Sequence, residues 1–331
     1  MRPPHTVPAQ WPAIAPGRFA EGIVRGSTES CEGCAIGILG LPDDLGVRMN
    51  GGRPGASGGP SAIRASLARF GTAFDAARNA TIGVRVFDAG DVAAARAEEF
   101  HGDAARALEE THRRVREAAA WMHGRGMTVI GLGGGHDLTY PAVRGLAEAV
   151  GGAVAGINVD AHLDVRETAG SGMGFRRLIE GGFLEPSAFV EYGIGRFVNL
   201  EAHVRWAEAH GVSLVDVETA LDGEVSVREA FHIAFGAGDE GDRNAEGTGV
   251  GFVSIDLDGI DAAHAPGVSA ANPMGLPPTA AVEAARLAGV HPGVRHFDVM
   301  ELNPALDVDG RTARVAALLV LTFIAGHAER S

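Results

Sequence analysis

Two short apolar runs, each followed directly by a cluster of acidic residues, constrain the fold of this chain more than any other feature. The runs, residues 154–159 and 250–255, are bounded by glycines and lack the polar alternation of a half-buried strand. Continuous apolar runs of this length are typical of strands that are covered on both faces of a parallel sheet. The acidic clusters are therefore predicted to lie at the carboxyl ends of two buried strands.

Six potential metal ligands lie at three predicted strand ends. NVDAHLD and SIDLD contain the ends of the two apolar runs, and GGGHD follows a third strand-like run at 127–132, where the glycines permit a sharp turn. Alternate residues of an extended chain project to the same side, so side chains within a cluster can converge. The candidates are His136, Asp160, His162, Asp164, Asp256 and Asp258.

The ligand types indicate a centre for two divalent ions. Carboxylate oxygens with a minority of imidazoles and no thiolate suit Mn²⁺ ahead of Zn²⁺, Fe²⁺ or Ni²⁺. A single Asp or His after a strand is commonly a helix cap or a hydrogen-bonded core group. Four carboxylates beside buried strands would instead repel and desolvate one another unless cations neutralised them. We therefore predict a two-metal site that activates water.

Strand-like and helical patterns alternate along the rest of the chain. The predicted strands are 35–39, one that ends near Phe87, 189–194, 213–217 and 295–300. The predicted helices are 61–70, 103–123, 199–210, 226–235, 279–287 and 312–324. This alternation predicts an α/β fold with three layers, in which helices cover both faces of a largely parallel central sheet.

Length and composition favour one domain over residues 1–331, since a chain of this size with 46% hydrophobic residues can bury a large core. Residues 1–33 are interpreted as a Pro-rich leader and 236–249 as an exposed loop. No stretch approaches the roughly 18 to 20 apolar residues of a membrane span, and no signal peptide is recognisable. We therefore expect a cytoplasmic protein without a membrane partner. The net charge of −14 argues against nucleic acid as a partner.

The two cysteines, Cys31 and Cys34, form a CEGC motif. This is the spacing of a redox pair or of half a zinc site, but the chain has no second pair that could complete a tetrahedral zinc site. We interpret them as small thiols near the core. A redox role stays open, although the pair precedes a predicted strand and not the helix N-terminus that would activate a thiolate.

The three motifs GGGHD, DAHLD and SIDLDGID resemble those of the ureohydrolases, the family of arginase, agmatinase and formimidoylglutamase. The similarity extends from about Gly37, through GILGLPDDLGVRMNGGRPGASGGPSAIR, to about Asn303 in DVMELNP. The resemblance implies an arginase-like fold, two Mn²⁺ ions per subunit and a homo-oligomer. It implies His136, Asp160, Asp164 and Asp256 for the first ion, and Asp160, His162, Asp256 and Asp258 for the second, with Asp160 and Asp256 as bridges.

The resemblance also implies a mechanism. Two such ions would share one bridging hydroxide that attacks an amidine carbon, and the leaving amine would then receive a proton. Asp164 is the predicted proton shuttle, because the equivalent family position touches both a metal and the bridging solvent.

Two departures from the arginase and agmatinase patterns bear on the substrate. Ser171 stands where those enzymes have a proton-relay His, and a hydroxyl cannot relay protons like an imidazole near neutral pH. Ala280 stands where we expect the Glu that pairs with a guanidinium. Glu283, three residues further along a predicted helix, could substitute for that Glu if it faced the cavity.

Arg166 directs the prediction towards an acidic substrate. It follows DAHLD directly and offers a planar fork for a carboxylate. With SGMGFRR and AHAPGVSA, it makes the chain most similar to formimidoylglutamase, which hydrolyses N-formimidoyl-L-glutamate to L-glutamate and formamide in histidine degradation. The predicted substrate-binding residues are Arg166, Ser171, Arg53 and Arg176. Solvated arginines or loop ion pairs are the alternative interpretation of the three arginines.

Two other functions stay open. The same centre could release urea from agmatine or a guanidino acid. Alternatively, a non-catalytic, metal-stabilised regulator would explain Ser171 and Ala280, although such a protein need not retain all six ligands. Asp298 and Glu301 are predicted either to support the metal ligands from behind or to support the end of the sheet.

Overall fold

The computed structural model describes residues 2–26, 31–236 and 249–330. Its strands are β1 (Thr6–Val7), β2 (Val24–Arg25), β3 (Ile36–Gly40), β4 (Phe74–Asp75), β5 (Ala80–Thr81), β6 (Val86–Val92), β7 (Thr128–Leu132), β8 (Val154–Val159), β9 (Leu184–Ile194), β10 (Ser213–Asp216), β11 (Gly251–Asp256) and β12 (Val294–Met300). Ten of them form one sheet in the order β1-β6-β3-β7-β12-β11-β8-β9-β10, with β2 also pairing with β6. Only β1 is antiparallel to its neighbour, so the predicted largely parallel sheet is confirmed.

Helices cover both faces of this sheet. They are α1 (Leu45–Met49), α2 (Gly59–Leu67), α3 (Ala104–His123), α4 (Thr139–Val150), α5 (Gly174–Glu180), α6 (Glu201–His210), α7 (Val217–Leu221), α8 (Val227–Phe235), α9 (Pro278–Val290) and α10 (Arg311–His327). Successive residues of β7 belong to different hydrophobic clusters: Val129 packs in the cluster that contains α3, and Ile130 in the cluster that contains α9 and α10. Because side chains alternate across a strand, the two clusters lie on opposite faces. The three-layer α/β/α prediction is confirmed.

The carboxyl ends of four adjacent strands meet at one edge of the fold. β12 lies between β7 and β11, and β8 follows β11. Their registers are aligned near this edge, where Val299 pairs with Leu132 and with Ile255, and Ile255 pairs with Val159. Residues that leave these four strands therefore enter the same space, which is the usual place for a ligand in such a sheet.

One predicted strand boundary is wrong. The strand expected to end near Phe87 begins at Val86 and continues to Val92. Asp88 and Asp91 interrupt its apolar pattern, but buried Arg64 pairs with both carboxylates, its Nε 2.9 Å from Asp88 Oδ2 and its Nη1 2.5 Å from Asp91 Oδ1. Paired charges can be buried, so the strand runs through them.

The predicted N-terminal leader contributes to the sheet. β1 and β2 both pair with β6, and Trp11 Nε1 donates to Asp88 Oδ2 at 2.6 Å. Two-residue strands carry no periodic signal, so the sequence could not indicate them. The predicted loop at 236–249 falls mostly on residues 237–248, outside the described residues.

Two smaller expectations concern the cysteines and the membrane. Cys31 and Cys34 are buried in the hydrophobic cluster beside β6, which confirms the prediction of thiols near the core. Among the described helices, none has the length and apolar character needed to cross a bilayer.

Candidate metal centre

The turn after β7 places His136 at the edge where the four strands end. A Cβ at Gly134 would lie 2.0 Å from the carbonyl oxygen of Asp43, so only glycine allows the two backbones to pass this closely. The N–H of Gly134 donates to Leu41 O at 3.0 Å, which fixes this approach. The turn ends in a short 3₁₀ helix that begins at His136.

His136 forms the first ligand group with three carboxylates. Its Nδ1 lies 3.1 Å from Asp160 Oδ2, 3.1 Å from Asp164 Oδ2 and 3.1 Å from Asp256 Oδ2. The most exposed of these side chains, Asp164, is 12% exposed. Asp164 has a left-handed backbone with φ of 47°, a conformation that non-glycine residues adopt at a cost and often at functional sites.

The second ligand group shares Asp160 with the first. His162 Nδ1 lies 3.4 Å from Asp160 Oδ1 and 3.3 Å from Asp258 Oδ1. Asp160 therefore turns one oxygen towards each histidine. Asp256 Oδ1 accepts from the N–H of Asp258 at 2.8 Å, which ties the two groups together from the other side. The structure thus brings all six predicted residues to one place, in two groups that meet at Asp160.

The arrangement fits two cations. Among the described residues, His136 Nδ1 and Asp258 Oδ1 are buried without a hydrogen-bond partner. One imidazole nitrogen cannot donate to three carboxylates at once, whereas a cation between them would be coordinated by all four atoms. Oxygen ligands with two imidazoles and no thiolate suit Mn²⁺. The donor set therefore fits two Mn²⁺ ions.

The same cluster perturbs the protonation of its members. Burial opposes the charged form of His162, but Asp258 and Asp160 outweigh it and raise the pKa of this imidazole to about 12. Burial also acts against protonation of His136, yet the surrounding carboxylates hold its pKa well above its usual value. Burial, reinforced by Asp256, raises the pKa of Asp258 well above its ordinary range. A cation that binds here must displace these protons.

A chain of hydrogen bonds supports His136 from inside the sheet. His136 Nε2 lies 2.9 Å from Ser254 Oγ, which donates to Asp298 Oδ1 at 2.5 Å. The other oxygen of Asp298 accepts from Thr139 Oγ1 at 2.9 Å and lies 3.0 Å from His296 Nε2. This chain favours a proton on His136 Nε2, which leaves the Nδ1 lone pair for a cation. Of the two predicted roles of Asp298, the contacts support the first, behind a metal ligand.

Glu301 also supports His136 through one of its two carboxyl oxygens. Its Oε1 accepts from the backbone N–H of His136 at 2.9 Å, while its buried Oε2 has no hydrogen-bond partner among the described residues. Its backbone is left-handed, with φ of 64°. Burial, together with Asp256 and Asp258, raises the pKa of this carboxyl well above its usual value.

Sequence reasoning missed two residues that lie behind Asp160 and Asp256. Ser254 precedes Asp256 by two positions, and Asn158 precedes Asp160 by two. Asn158 Nδ2 lies 2.8 Å from buried Glu191 Oε2 and 3.4 Å from Asp160 Oδ2. The period of two along a strand places both polar residues on the side of the ligands, and this signal could have identified them.

A cavity of about 590 Å³ adjoins His162 and Asp164. Its other lining residues are Arg166, Glu167, Thr168, Arg176, Val198, Asn199, Leu200, Ala202 and His203. Arg166 and Arg176, two predicted substrate-binding residues, thus lie in its wall. Arg176 is also engaged locally, because its Nε lies 2.8 Å from Glu180 Oε1 and its guanidinium lies 4.8 Å from the ring of Trp206.

The other two predicted substrate-binding residues do not line this cavity. Arg53 donates to the carbonyl oxygens of Ser269 and Val268 at 2.8 and 2.9 Å, so its guanidinium holds a loop. The side-chain oxygen of Asn50 accepts from the N–H and the hydroxyl of Ser171, at 3.1 and 3.0 Å. Ser171 is therefore bonded to the residue that ends α1. Spacing in the sequence could not reveal these loop contacts.

Neither Ala280 nor Glu283 lines the cavity. Ala280 lies in the first turn of α9 and packs against the hydrophobic core. Glu283 pairs with Arg286 on the same helix, with two contacts of 2.8 Å. The proposal that Glu283 substitutes for a missing carboxylate is therefore wrong, because its helix face directs it to a neighbouring arginine. Among the described carboxylates outside the ligand groups, Glu301, Asp137 and Glu191 each have one buried oxygen without a hydrogen-bond partner.

Comparisons with known proteins agree with this geometry. Residues 34–326 match the arginase family. The chain is 35% identical to the formimidoylglutamase of Aromatoleum aromaticum over 299 residues, covering 86% of this chain and 81% of that protein. It is 36% identical to the formimidoylglutamase of Halobacterium salinarum over 301 residues, covering 87% of each.

A similar protein has been solved with manganese bound. The crystal structure of Trypanosoma cruzi formiminoglutamase with two Mn²⁺ superposes with a TM-score of 0.82 at 30% identity. The alignment covers 95% of this chain and 99% of that chain. The predicted arginase-like fold is thereby confirmed.

Proposed function

Because the chain belongs to the arginase family, we propose that it hydrolyses N-formimidoyl-L-glutamate, with water, to L-glutamate and formamide. The observation that carries this proposal is the pairing of two ligand groups, joined at Asp160, with a cavity whose wall contains Arg166 and Arg176. The ligand groups suit hydrolysis, and the arginines suit a substrate with two carboxylates. Relatives named formimidoylglutamase, at 30–36% identity, support the same choice.

The six residues would hold two Mn²⁺ ions. His136 and Asp164 would hold one ion and His162 and Asp258 the other, with Asp160 and Asp256 shared by both. When bound, such a pair activates water as a nucleophile at neutral pH and stabilises the charge that develops on the substrate. The remaining steps are assigned to side chains of the protein.

Asp164 moves the proton in this proposal. Its Oδ2 lies 3.1 Å from His136 Nδ1, and the same side chain forms part of the cavity wall. It therefore reaches both the ligand group and the space where the substrate lies. The other carboxyl oxygen of Asp164 takes the proton of the attacking water and delivers it to the nitrogen that leaves with glutamate.

Glu301 binds the amidinium group of the substrate. Its Oε2 is buried without a partner among the described residues, while its Oε1 is fixed by the N–H of His136. A carboxylate so placed accepts from a cationic N–H donor, and the strained backbone of Glu301 is consistent with a functional position.

Arg166 and Arg176 bind the carboxylates of glutamate. No ion pair is observed between the guanidinium of Arg166 and a described residue, so this group can pair with a substrate carboxylate. Arg176 lines the cavity, where it pairs with Glu180 at 2.8 Å and with Glu167 at 3.2 Å and lies over the ring of Trp206. The net charge of −14 does not oppose this, because a cleft responds to its local charges.

A product analysis tests the function. Manganese-loaded protein is incubated separately with N-formimidoyl-L-glutamate, agmatine, arginine and guanidinobutyrate, and formamide and urea are measured. We expect formamide from the first compound and little urea from the others. Urea from a guanidino compound, without formamide, would show that the protein instead hydrolyses agmatine or a guanidino acid. Inertness towards every amidine, in protein that holds both ions, would instead favour a non-catalytic regulator.

Three further statements stay predictions: a single domain over residues 1–331, assembly as a homo-oligomer and a cytoplasmic location. The first is supported by one sheet whose strands come from Thr6 to Met300.

A further inference from the structure

The side chain of Asn199 forms hydrogen bonds with the backbone on both sides of His162. It lies between β9 and α6, far from the metal motifs in the sequence. Its Oδ1 accepts from the N–H of Leu163 at 3.0 Å, and its Nδ2 donates to the carbonyl oxygen of Ala161 at 2.9 Å. Both polar groups of one amide are thus used to hold the residues that flank one histidine.

The two histidines of the centre differ in how their rings are oriented. A metal-bound imidazole usually donates its second N–H to a fixed acceptor, which sets the direction of the ring. His136 has such an acceptor in Ser254, at 2.9 Å. No hydrogen bond from His162 Nε2 to a described residue is observed, and the side chain of His162 is 25% exposed at the cavity. The direction of the His162 ring therefore depends on its backbone.

We propose that Asn199 is a positioning residue for the second ion: it fixes the backbone of residues 161–163 and thereby aims His162 Nδ1 at the point shared with Asp160 and Asp258. The inference rests on the two-ion centre of the proposed function, but it concerns metal binding and not the identity of the substrate. Asn199 also lies in the cavity wall, so the test follows metal binding, which a role in substrate binding alone would not change.

Loss of the Asn199 side chain would have a local effect. The carbonyl oxygen of Ala161 also accepts from the N–H of Gly195 at 2.9 Å, so it retains a partner. The N–H of Leu163 would lose its acceptor, and the buried side chain of Leu163 keeps the segment attached to the core. The segment is therefore expected to stay in place while the direction of His162 becomes less defined.

The test titrates metal-free protein with Mn²⁺ and follows each ion separately. Calorimetry gives the two dissociation constants, and electron paramagnetic resonance distinguishes a single ion from an exchange-coupled pair. For Asn199→Ala we expect the Kd of the second ion to rise roughly ten- to a hundredfold, with loss of the coupled signal, while the Kd of the first ion is unchanged. Leu200→Ala is the matched control, because Leu200 lines the same cavity without a hydrogen bond to residues 161–163.

Asn199→Asp guards against a variant that fails to fold. It keeps the volume and the acceptor for Leu163 N–H, and it is expected to recover at least part of the affinity that Asn199→Ala loses. Unchanged binding of both ions in Asn199→Ala, equal weakening of both ions, or the same loss in Leu200→Ala would each overturn the proposal. Two normal ions in the unaltered protein without hydrolysis of any amidine would refute the proposed function and leave this inference intact.

Discussion

The two ligand groups that meet at Asp160 are built in different ways. The His136 group lies inside the sheet edge, where Ser254 and Asp298 orient the ring and Glu301 holds the backbone. The His162 group lies at the cavity wall, and no hydrogen bond is observed between His162 Nε2 and a described residue, so its backbone positions the ring. One histidine is held inside the core, and the other faces the space where substrate would enter.

This difference assigns separate tasks to the two halves. Buried ligands with fixed hydrogen bonds pay little entropy when an ion binds, so the His136 half is expected to bind its ion first and more tightly. The His162 half adjoins Arg166 and Arg176 and is expected to combine the second ion with the substrate. Substitution of Asp258, Arg166 or Ser254 alters one half and leaves the other as the reference.

The largest effect is expected when the shared residue is removed. Asp160→Ala takes one oxygen from each group, so both ions should be lost and turnover should fall by about a thousandfold or more. Asp258→Ala takes an oxygen from the His162 group alone and should release only the second ion. Metal content and initial rates measure both. Near-normal turnover in Asp160→Ala would contradict a shared bridge.

A smaller effect is expected in the His162 half, at the arginine that faces the substrate. Arg166→Ala should raise KM for N-formimidoyl-L-glutamate by roughly ten- to a hundredfold, as the loss of a charged hydrogen bond does, while both ions stay bound. Arg196→Ala is the matched control, since Arg196 pairs with Glu218 at 2.7 Å and does not line the cavity. Steady-state kinetics decide, and equal KM values in the two variants would remove Arg166 from the binding site.

In the core half, Ser254→Ala should weaken the first ion by about tenfold, because the His136 ring loses the acceptor that orients it. This variant mirrors Asn199→Ala, which is expected to weaken the second ion. Manganese titrations of both variants would give opposite patterns. If both variants affected the same ion, the division into two separately supported halves would be wrong.

The smallest effect concerns pH and stability. Groups such as His162, whose pKa is raised from 6.5 to about 12, hold a proton in the folded protein that the unfolded chain releases. Their contribution to stability is present below about pH 6.5 and is lost as the pH rises towards the raised value. Chelator-treated protein should therefore melt at progressively lower temperature as the pH rises from about 6.5 to about 9.

Manganese-loaded protein provides the reference for this trend, because the ions displace those protons. Its Tm should exceed that of chelated protein by a margin that widens by a few degrees over the same range. Calorimetric melts of both forms measure the margin. If the difference in Tm between manganese-loaded and chelated protein narrowed as the pH rises, the prediction would be contradicted.

Much of the core half could be predicted from the sequence. The apolar runs before Asp160 and Asp256 indicate buried parallel strands, and the period of two indicates which side chains share a side. These two rules are enough to predict that the ligands lie close together. The period of two also places Ser254 on the side of Asp256, but its role as the hydrogen-bond partner of His136 depends on the facing Asp298, which the sequence does not bring next to it.

The open half was less predictable, because loops form it. Arg53, Ser171 and Arg166 are all polar residues of glycine-rich loops, and nothing in their spacing shows that only Arg166 reaches the cavity. Asn199 lies 36 residues from Leu163, its hydrogen-bond partner, and no motif connects the two. The helix face of Glu283 was likewise ambiguous before its contact with Arg286 was known.

The most direct test of the two-ion centre is anomalous diffraction from manganese-loaded crystals, recorded on both sides of the manganese absorption edge. The account predicts two peaks in each chain, one beside His136 Nδ1 and one beside His162 Nδ1, with Asp160 in contact with both. A single peak, or two peaks that do not share Asp160, would contradict it.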